Sequence, residues 1–447
     1  MDFQEELAAF RAAHPEVLQA EVFVVDLNAT CRGKLVPIEA LDKLAKGTMK
    51  LPVSTPALDI FSEDVYETGL AVQTGDPDGV LDPVPGSLGQ MLWSETPTAQ
   101  VQVTIRRTNG SVAEFDPRNV LAKVAARAAE AGLTPVTALE QEFYLIDLNE
   151  DLPPCDPVTG QRLSGGQVFN LDIGRAFTPL LNDIAAAAHA LGAETETMIT
   201  EYGYGQFEVN LLHGSDPLAA CDHVMALRRA ARGVARQHGF DVSFAAKPWP
   251  DTTGSGMHMH MSLQNAEGRN IFAGDDVPNG SMRRAVAGWL AHMAESMLIM
   301  APHSVSYRRL VPGILAPTEA LWANDHRGAA VRVPETRGEG ARIEHRTAGS
   351  DANPYLVSAA VIAAALAGLD AAIEPPEPVS GEIVPGMGEA LPTEWGQAEL
   401  LFARSDFVAG WLGTGFRDVF AAIKRQERAA LQPRMTDVER EVYLRRI

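Results

Sequence analysis

Thr137-Ala138-Leu139-Glu140-Gln141-Glu142-Phe143-Tyr144-Leu145-Ile146 sets two carboxylates two residues apart inside an otherwise apolar, strand-like run. Residues two apart on a strand project from one face, so Glu140 and Glu142 share a side while Gln141 and Phe143 take the other. An unpaired charge is costly in such surroundings. Four more groups lie in comparable apolar or glycine-rich stretches: Glu201 and Glu208 in Glu-Tyr-Gly-Tyr-Gly-Gln-Phe-Glu, His258 in Gly-Ser-Gly-Met-His-Met-His, and Glu344 in Arg-Ile-Glu-His-Arg. Five carboxylates and an imidazole converging on one place repel each other unless cations sit between them. Oxygen-rich ligation suits Mg²⁺ or Mn²⁺ rather than zinc. Parallel carboxylates can also serve two ions a few ångströms apart, as in two-metal phosphoryl transfer. Arg309, Arg327, Arg332 and Arg346 follow in the C-terminal half, as anionic substrates would need. The set reads as a metal–nucleotide site.

Each motif also has an ordinary structural reading when taken singly. An isolated Glu-X-Glu is most often the solvent face of a sheet, and the glycines around Glu201 and Glu208 could belong to a plain turn. His258 and His260 alternate with Met257, Met259 and Met261, which places both imidazoles on one face and the thioethers in the core; the preceding Gly-Ser-Gly could cradle an anion. Arg342, Glu344 and Arg346 share a face and could simply pair among themselves. Only the joint pattern favours chemistry.

The chain of 447 residues is too long for one small core, and two domains of unequal size are expected. Residues 1–110 read as a small, mostly β domain and 111–447 as a larger α+β domain. A helix is expected over 3–14 and a strand from Ala20 to Leu27. Asp116-Pro117 opens a helix that runs to Gly132. Beyond the Glu140 strand, helices (179–191, 216–238, 281–301, 354–370, 397–425) alternate with strand-like runs (205–212, 241–246, 257–263, 329–333, 341–346). The Pro- and Gly-rich segment 374–393 reads as a surface excursion. No run reaches the roughly twenty apolar residues needed to cross a bilayer, and the acidic N-terminus argues against export. Cys31, Cys155 and Cys221 form neither a zinc pattern nor a disulfide framework, which fits a reducing cytoplasm. A net charge of −21 argues against nucleic acid as a partner and is compatible with a cationic small substrate.

Taken in order, the motifs resemble the glutamine synthetase superfamily over nearly the whole chain. The segments that carry the resemblance are Asp26-Leu27-Asn28 with Arg32-Gly33-Lys34, Leu139–Leu145, Gly205–Asn210, Lys247-Pro248, Gly254–Leu263, Ser306–Pro312 and Arg342–Tyr355. The resemblance implies a β-grasp N-terminal domain and a catalytic domain on an antiparallel sheet. It also implies a homo-oligomer, commonly two stacked hexamers, with each active site shared between neighbours. By the same motifs, Glu142, Glu201 and Glu208 would hold a first cation beside glutamate, and Glu140, His258 and Glu344 a second that receives the ATP phosphates. Gly254, Arg309 and Arg346 match positions that hold glutamate. Arg327 and Arg332 match positions on the ATP phosphates and the transferring phosphoryl group, with Glu196, His260 and Ser262 toward the nucleotide. The implied reaction is ATP-dependent phosphorylation of the γ-carboxylate of glutamate, followed by attack of a nitrogen nucleophile.

Two departures bear on that nucleophile. Ammonia-using members of the family continue after Arg309 with a glutamate where this chain has Leu315, and their Asp-Gly-Ser-Ser segment is replaced by Leu51-Pro52-Val53-Ser54-Thr55. Both remove negative charge from the nitrogen pocket, which suits an alkyl-bearing amine. Phe10–Pro15, Thr68-Gly69-Leu70, Gly75–Asp78 and Pro83–Gly86 add a resemblance to the γ-glutamylputrescine synthetase branch. A distal ammonium would need a carboxylate or aromatic partner, for which Glu63, Asp64, Glu67 and Trp93 are available. No tyrosine lies between Tyr355 and Tyr443, so the tyrosine that bacterial glutamine synthetases adenylylate is not expected here. The alternatives are a glutamine synthetase using ammonia, a monoamine or ethanolamine ligase, and a catalytically inactive glutamate sensor.

Overall fold

The computed structural model describes residues 2–311 and 315–444. Two sheets organise it. The first has the order Cys31–Pro37, Gln19–Val25, Thr98–Arg107, Asp78–Pro83, Lys50–Pro52, with Gly89–Gln90 pairing onto Thr98–Arg107. Gln19–Val25 runs parallel to Thr98–Arg107, and its other neighbour is antiparallel. Helix Phe3–Ala13 precedes this sheet, held by a reciprocal capping box between Asp2 and Glu5.

The second sheet carries the acidic residues. Its order is Trp322–Asn324, Val331–Glu335, Arg342–His345, Met257–Gln264, Thr134–Asp147, Gln206–Leu211, Thr195–Thr200, and Phe240–Ser243 pairs with the far end of Thr134–Asp147. Every pairing is antiparallel except the edge pair formed by Trp322–Asn324. Met257, Met259 and Met261 are buried behind it, as the alternation predicts. On that back face Arg228, from helix Pro217–Gln237, donates to Gln141 Oε1 (2.9 Å) and to the carbonyls of Ser350 and Ala352. The alanine-rich helix Pro354–Asp370 is buried nearly all round and crosses helix Gly280–Met300 at two glycines. A Cβ at Gly288 would lie 2.0 Å from the Ala364 carbonyl oxygen, so no other residue fits that crossing.

Three expectations are corrected. The helix expected over 397–425 is three helices, Trp395–Ala403, Asp406–Trp411 and Thr414–Leu431. Ser405 caps the second through Val408 N–H, and Gly413 breaks the run at φ 122°. Thr195–Thr200 is a strand, and so is the half-exposed Cys31–Pro37; neither was anticipated. The excursion over 374–393 is mostly irregular, as expected, but Glu389–Ala390 pairs with Glu319–Ala320. No helix among the described residues is long and apolar enough to cross a membrane.

The first sheet is fastened to the end of the chain by buried charge. Lys424 and Glu427, both fully buried, pair at 2.9 Å on helix Thr414–Leu431. Asn28 donates to Glu427 Oε1 (2.8 Å) and accepts from Lys424, and Ile60 N–H donates to the same carboxylate (2.9 Å). Asn353 donates to the Asp26 carbonyl (2.9 Å). Removing one member leaves its partner charged and dry. Lys424→Met should therefore cost about 3–5 kcal/mol, read as a fall in melting temperature with early protease cleavage near residues 26–60. Lys424→Met with Glu427→Gln should recover most of the loss.

Candidate active site

Strand register brings the predicted residues together. His258 lies opposite Glu140, Glu142 opposite Glu208, and His260 opposite Glu344. Directly opposed residues share a face in an antiparallel pair, so one face collects these six side chains, while Glu201 follows strand Thr195–Thr200 and lies outside the paired register. The donor atoms form two groups that could hold a cation: Glu140 with Glu208 and His258, and Glu140 with His260 and Glu344. Glu140 belongs to both. His258 Nδ1 lies 3.1 Å from its Oε2 and His260 Nε2 lies 3.0 Å from its Oε1. His260, expected only near the nucleotide, is thus tied into the carboxylate cluster, and its Nδ1 is buried without a partner among the described residues.

Charge is distributed unevenly across this face. Burial, then the neighbouring Glu201, pushes the Glu142 carboxyl up to about 8. Burial, then Glu140, Glu142 and Glu201, pushes Glu208 up to about 10. Glu201 is raised as well, chiefly by burial and then by Glu140. On the other side burial is overcome. Hydrogen bonds from His258 and His260 hold Glu140 well below the usual carboxylate range, and Arg346, His258 and His260 hold Glu344 low. Arg332 donates to Glu344 Oε2 (2.8 Å) and to Asp325 (2.6 Å), while Arg346 pairs with Glu344 Oε1. The expected mutual pairing of Arg342, Glu344 and Arg346 holds only in part, because Arg342 donates instead to the Gly340 carbonyl.

The glycines of Gly254-Ser255-Gly256 are there for approach. A Cβ on Gly254 would meet Arg309 Cγ at 2.5 Å, and one on Gly256 would meet His258 Nε2 at 2.8 Å. Gly256 N–H donates to Glu142 Oε2 (2.8 Å). Arg309 is buried and anchored to the Thr347 carbonyl (2.9 Å), while Arg346 Nε donates to the Arg327 carbonyl (3.0 Å). Arg327 is exposed and makes no ion pair among the described residues, yet its charge acts on Glu201. Ser262 continues the face of His258 and His260; Glu196 is exposed at an irregularity between Thr195 and Thr197.

Gln206 was overlooked in the sequence. It donates to Glu142 Oε2 (3.0 Å), the Gly254 carbonyl (3.1 Å) and Ser255 Oγ (3.2 Å), joining the two glycine-rich motifs. It stands two residues before Glu208, so the strand period alone could have found it. Of the candidates for a distal cation, Glu67 is paired with Arg425 and Trp93 packs against Gly233 on helix Pro217–Gln237. Glu63 and Asp64 are exposed. Leu315 is about half exposed, and Pro312, Gly313 and Ile314 lie outside the described residues.

The donor set fits hard divalent cations: carboxylate oxygens with one or two imidazoles, three of those carboxyls driven toward protonation first by burial and then by neighbouring carboxylates. Residues 114–443 match the family described as glutamine synthetase, catalytic domain. The chain is 36% identical to the γ-glutamylputrescine synthetase PuuA of Escherichia coli (strain K12), covering 99% of this chain and 95% of that one. A glutamine synthetase of Halobacterium salinarum is 31% identical over 89% of this chain and 91% of its own. A solved structure of apo GmaS without ligand superposes with a TM-score of 0.85 at 26% identity, covering 98% of this chain and 99% of that one. The chain belongs to the glutamine synthetase family. It is an ATP-dependent carboxylate–amine ligase of a family that depends on divalent metal.

The raised carboxyls give the metal-free protein a defined pH response. Folded Glu142 and Glu208 bind protons more tightly than unfolded glutamate, so their contribution to stability falls as pH rises from about 4.5 toward about 8 and about 10. A cation takes the protons' place. The rise in melting temperature on adding excess Mg²⁺ should therefore be larger at about pH 9 than at about pH 6. An equal rise at both would contradict the assignment of these carboxyls.

Proposed function

We propose that this enzyme joins the γ-carboxyl group of L-glutamate to an organic amine, a polyamine such as putrescine being the favoured substrate, with ATP converted to ADP and phosphate. The observation that carries the reading is the uneven charge of the site. Glu140 accepts hydrogen bonds from two histidines and Glu344 pairs with Arg332 and Arg346, whereas Glu142, Glu201 and Glu208 are held toward protonation by burial and make no ion pair among the described residues. Two Mg²⁺ or Mn²⁺ ions, held by Glu142, Glu201 and Glu208 and by Glu140, His258 and Glu344, would supply the missing charge and polarise the phosphoryl group in flight.

The chain's own groups account for the rest. Arg309 and Arg346, with the close backbone at Gly254, hold glutamate so that a γ-carboxylate oxygen faces the terminal phosphorus of ATP. That oxygen forms the new P–O bond as the bond to ADP breaks. Arg327, exposed and without an ion pair among the described residues, follows the migrating charge, and Arg332 steadies the phosphates beside Glu196, His260 and Ser262. The amine nitrogen then attacks the γ-carbonyl carbon of the acyl phosphate, phosphate leaves with its oxygen, and the nitrogen loses a proton. Leu315 can neither favour ammonium nor take that proton, so the amine must be held by its own carbon chain. The 36% identity to a γ-glutamylputrescine synthetase over nearly the full chain supports the polyamine. The similar coverage of a glutamine synthetase supports ammonia as the second reading.

The same reading takes residues 1–110 as a β-grasp unit and 111–447 as the catalytic unit of a cytoplasmic dodecamer of two stacked hexamers. Its sites would be completed by a neighbour's N-terminal unit, with neither nucleic acid nor membrane as partner. A phosphate-release screen across ammonia, monoamines, diamines and longer polyamines decides the substrate. A diamine or polyamine should exceed ammonia in kcat/KM by at least about 100-fold, close to 3 kcal/mol of discrimination. Leu315→Glu should narrow that gap. Wild-type enzyme using ammonia as well as every amine would establish the second reading instead. Glu142→Ala should abolish phosphate release with every amine while leaving the circular dichroism spectrum intact.

A further inference from the structure

Beside the carboxylates, one amide stands in the same row with its oxygen unpartnered among the described residues. The register runs His258 opposite Glu140, Glu140 opposite Asn210, and Asn210 opposite Thr197. Asn210 also follows Glu208 by two residues on strand Gln206–Leu211. Both relations put its side chain on the face that carries the cation donors. Its Oδ1 is buried and accepts no hydrogen bond among the described residues. Native proteins rarely leave such an oxygen unpaired. No hydrogen bond joins its amide to Glu140 either, although the two face each other across the strands.

A neutral amide oxygen is a hard donor that adds no repulsion to a site already crowded with carboxylates. Mg²⁺ and Mn²⁺ keep several waters when bound by few protein groups, and those waters need acceptors. We propose that Asn210 is a positioning residue for the nucleotide-side cation, its Oδ1 holding that ion directly or through one coordinated water. It would thereby fix how the ATP phosphates are received. The inference rests on the two-cation reading above and adds to it a residue that none of the six ligands replaces. The cross-strand row then has a single logic: an imidazole to hydrogen-bond the carboxylate, a shared carboxylate to bind, and an amide to orient.

Mn²⁺ serves as the probe, with free ion followed by electron paramagnetic resonance during titration of the full-length protein. Asn210→Ala and Asn210→Leu should weaken one class of Mn²⁺ site by about 10- to 100-fold, the usual effect of losing an orienting neighbour. Asn210→Asp, which keeps an oxygen donor but adds a negative charge, should bind Mn²⁺ clearly more tightly than Asn210→Ala. Steady-state kinetics should show KM for ATP rising while KM for glutamate holds. Metal-free Asn210→Leu should melt at or above wild type, because it removes the orphaned acceptor. The inference falls if Asn210→Ala titrates as wild type does, or if Asn210→Asp loses as much affinity as Asn210→Ala. Wild-type protein that takes up no Mn²⁺ would overturn the two-cation reading itself; wild type that binds while Asn210→Ala is unaffected would overturn only the role of Asn210.

Discussion

Crowding of like charge on one sheet face governs this structure. Two carboxylates about 4 Å apart repel by roughly 4 kcal/mol where the effective dielectric is near 20. Glu140, Glu142 and Glu208 are fixed on adjacent strands whose ladder hydrogen bonds forbid them to spread. The fold relieves the repulsion on one side only. Around Glu140 and Glu344 it places two histidines and two arginines; to Glu142 it supplies only Gln206 and a backbone N–H, which orient without neutralising. The remaining imbalance is what makes the site receptive to cations.

Receptivity requires that the surroundings stay rigid while the charge is uncompensated. Arg228 braces the back of the Glu140 strand from helix Pro217–Gln237, and Gln141 relays that brace to Ser350. Gly254 and Gly256 let Arg309 and His258 pack against backbone where any side chain would intrude. Thr347 and Arg346 carbonyls then take up the donors of the Arg309 guanidinium that face protein. The arginine is desolvated but not unsatisfied, which is the tolerable way to bury one.

Much of this was legible in the sequence because its signals are local and periodic. Glu-X-Glu and the Met/His alternation declare which residues share a face, and the strands run as that period requires. What escaped depends on partners far along the chain. Thr195–Thr200 is polar and half-exposed, and becomes a strand by pairing with Gln206–Leu211. The sharing of Glu140 between two histidines follows from register, which no single segment encodes. The long C-terminal helix was misread because its apolar period survives two interruptions that only Ser405 and Gly413 mark. Gln206 lies in period with Glu208, but as a neutral side chain that orients Glu142 it carries no charge signal of its own.

The fastening of Asn28 to Lys424 and Glu427 joins groups separated by 396 and 399 positions. On a ribosome, the first sheet emerges hundreds of residues before the helix that completes its contacts. Until then the loop around Asn28 has no ion pair to dock on, and Ile60 N–H has no acceptor. Final closure of the molecule therefore waits for the last stretch of translation, and a chain that stops short of Lys424 lacks the clasp that joins its beginning to its end.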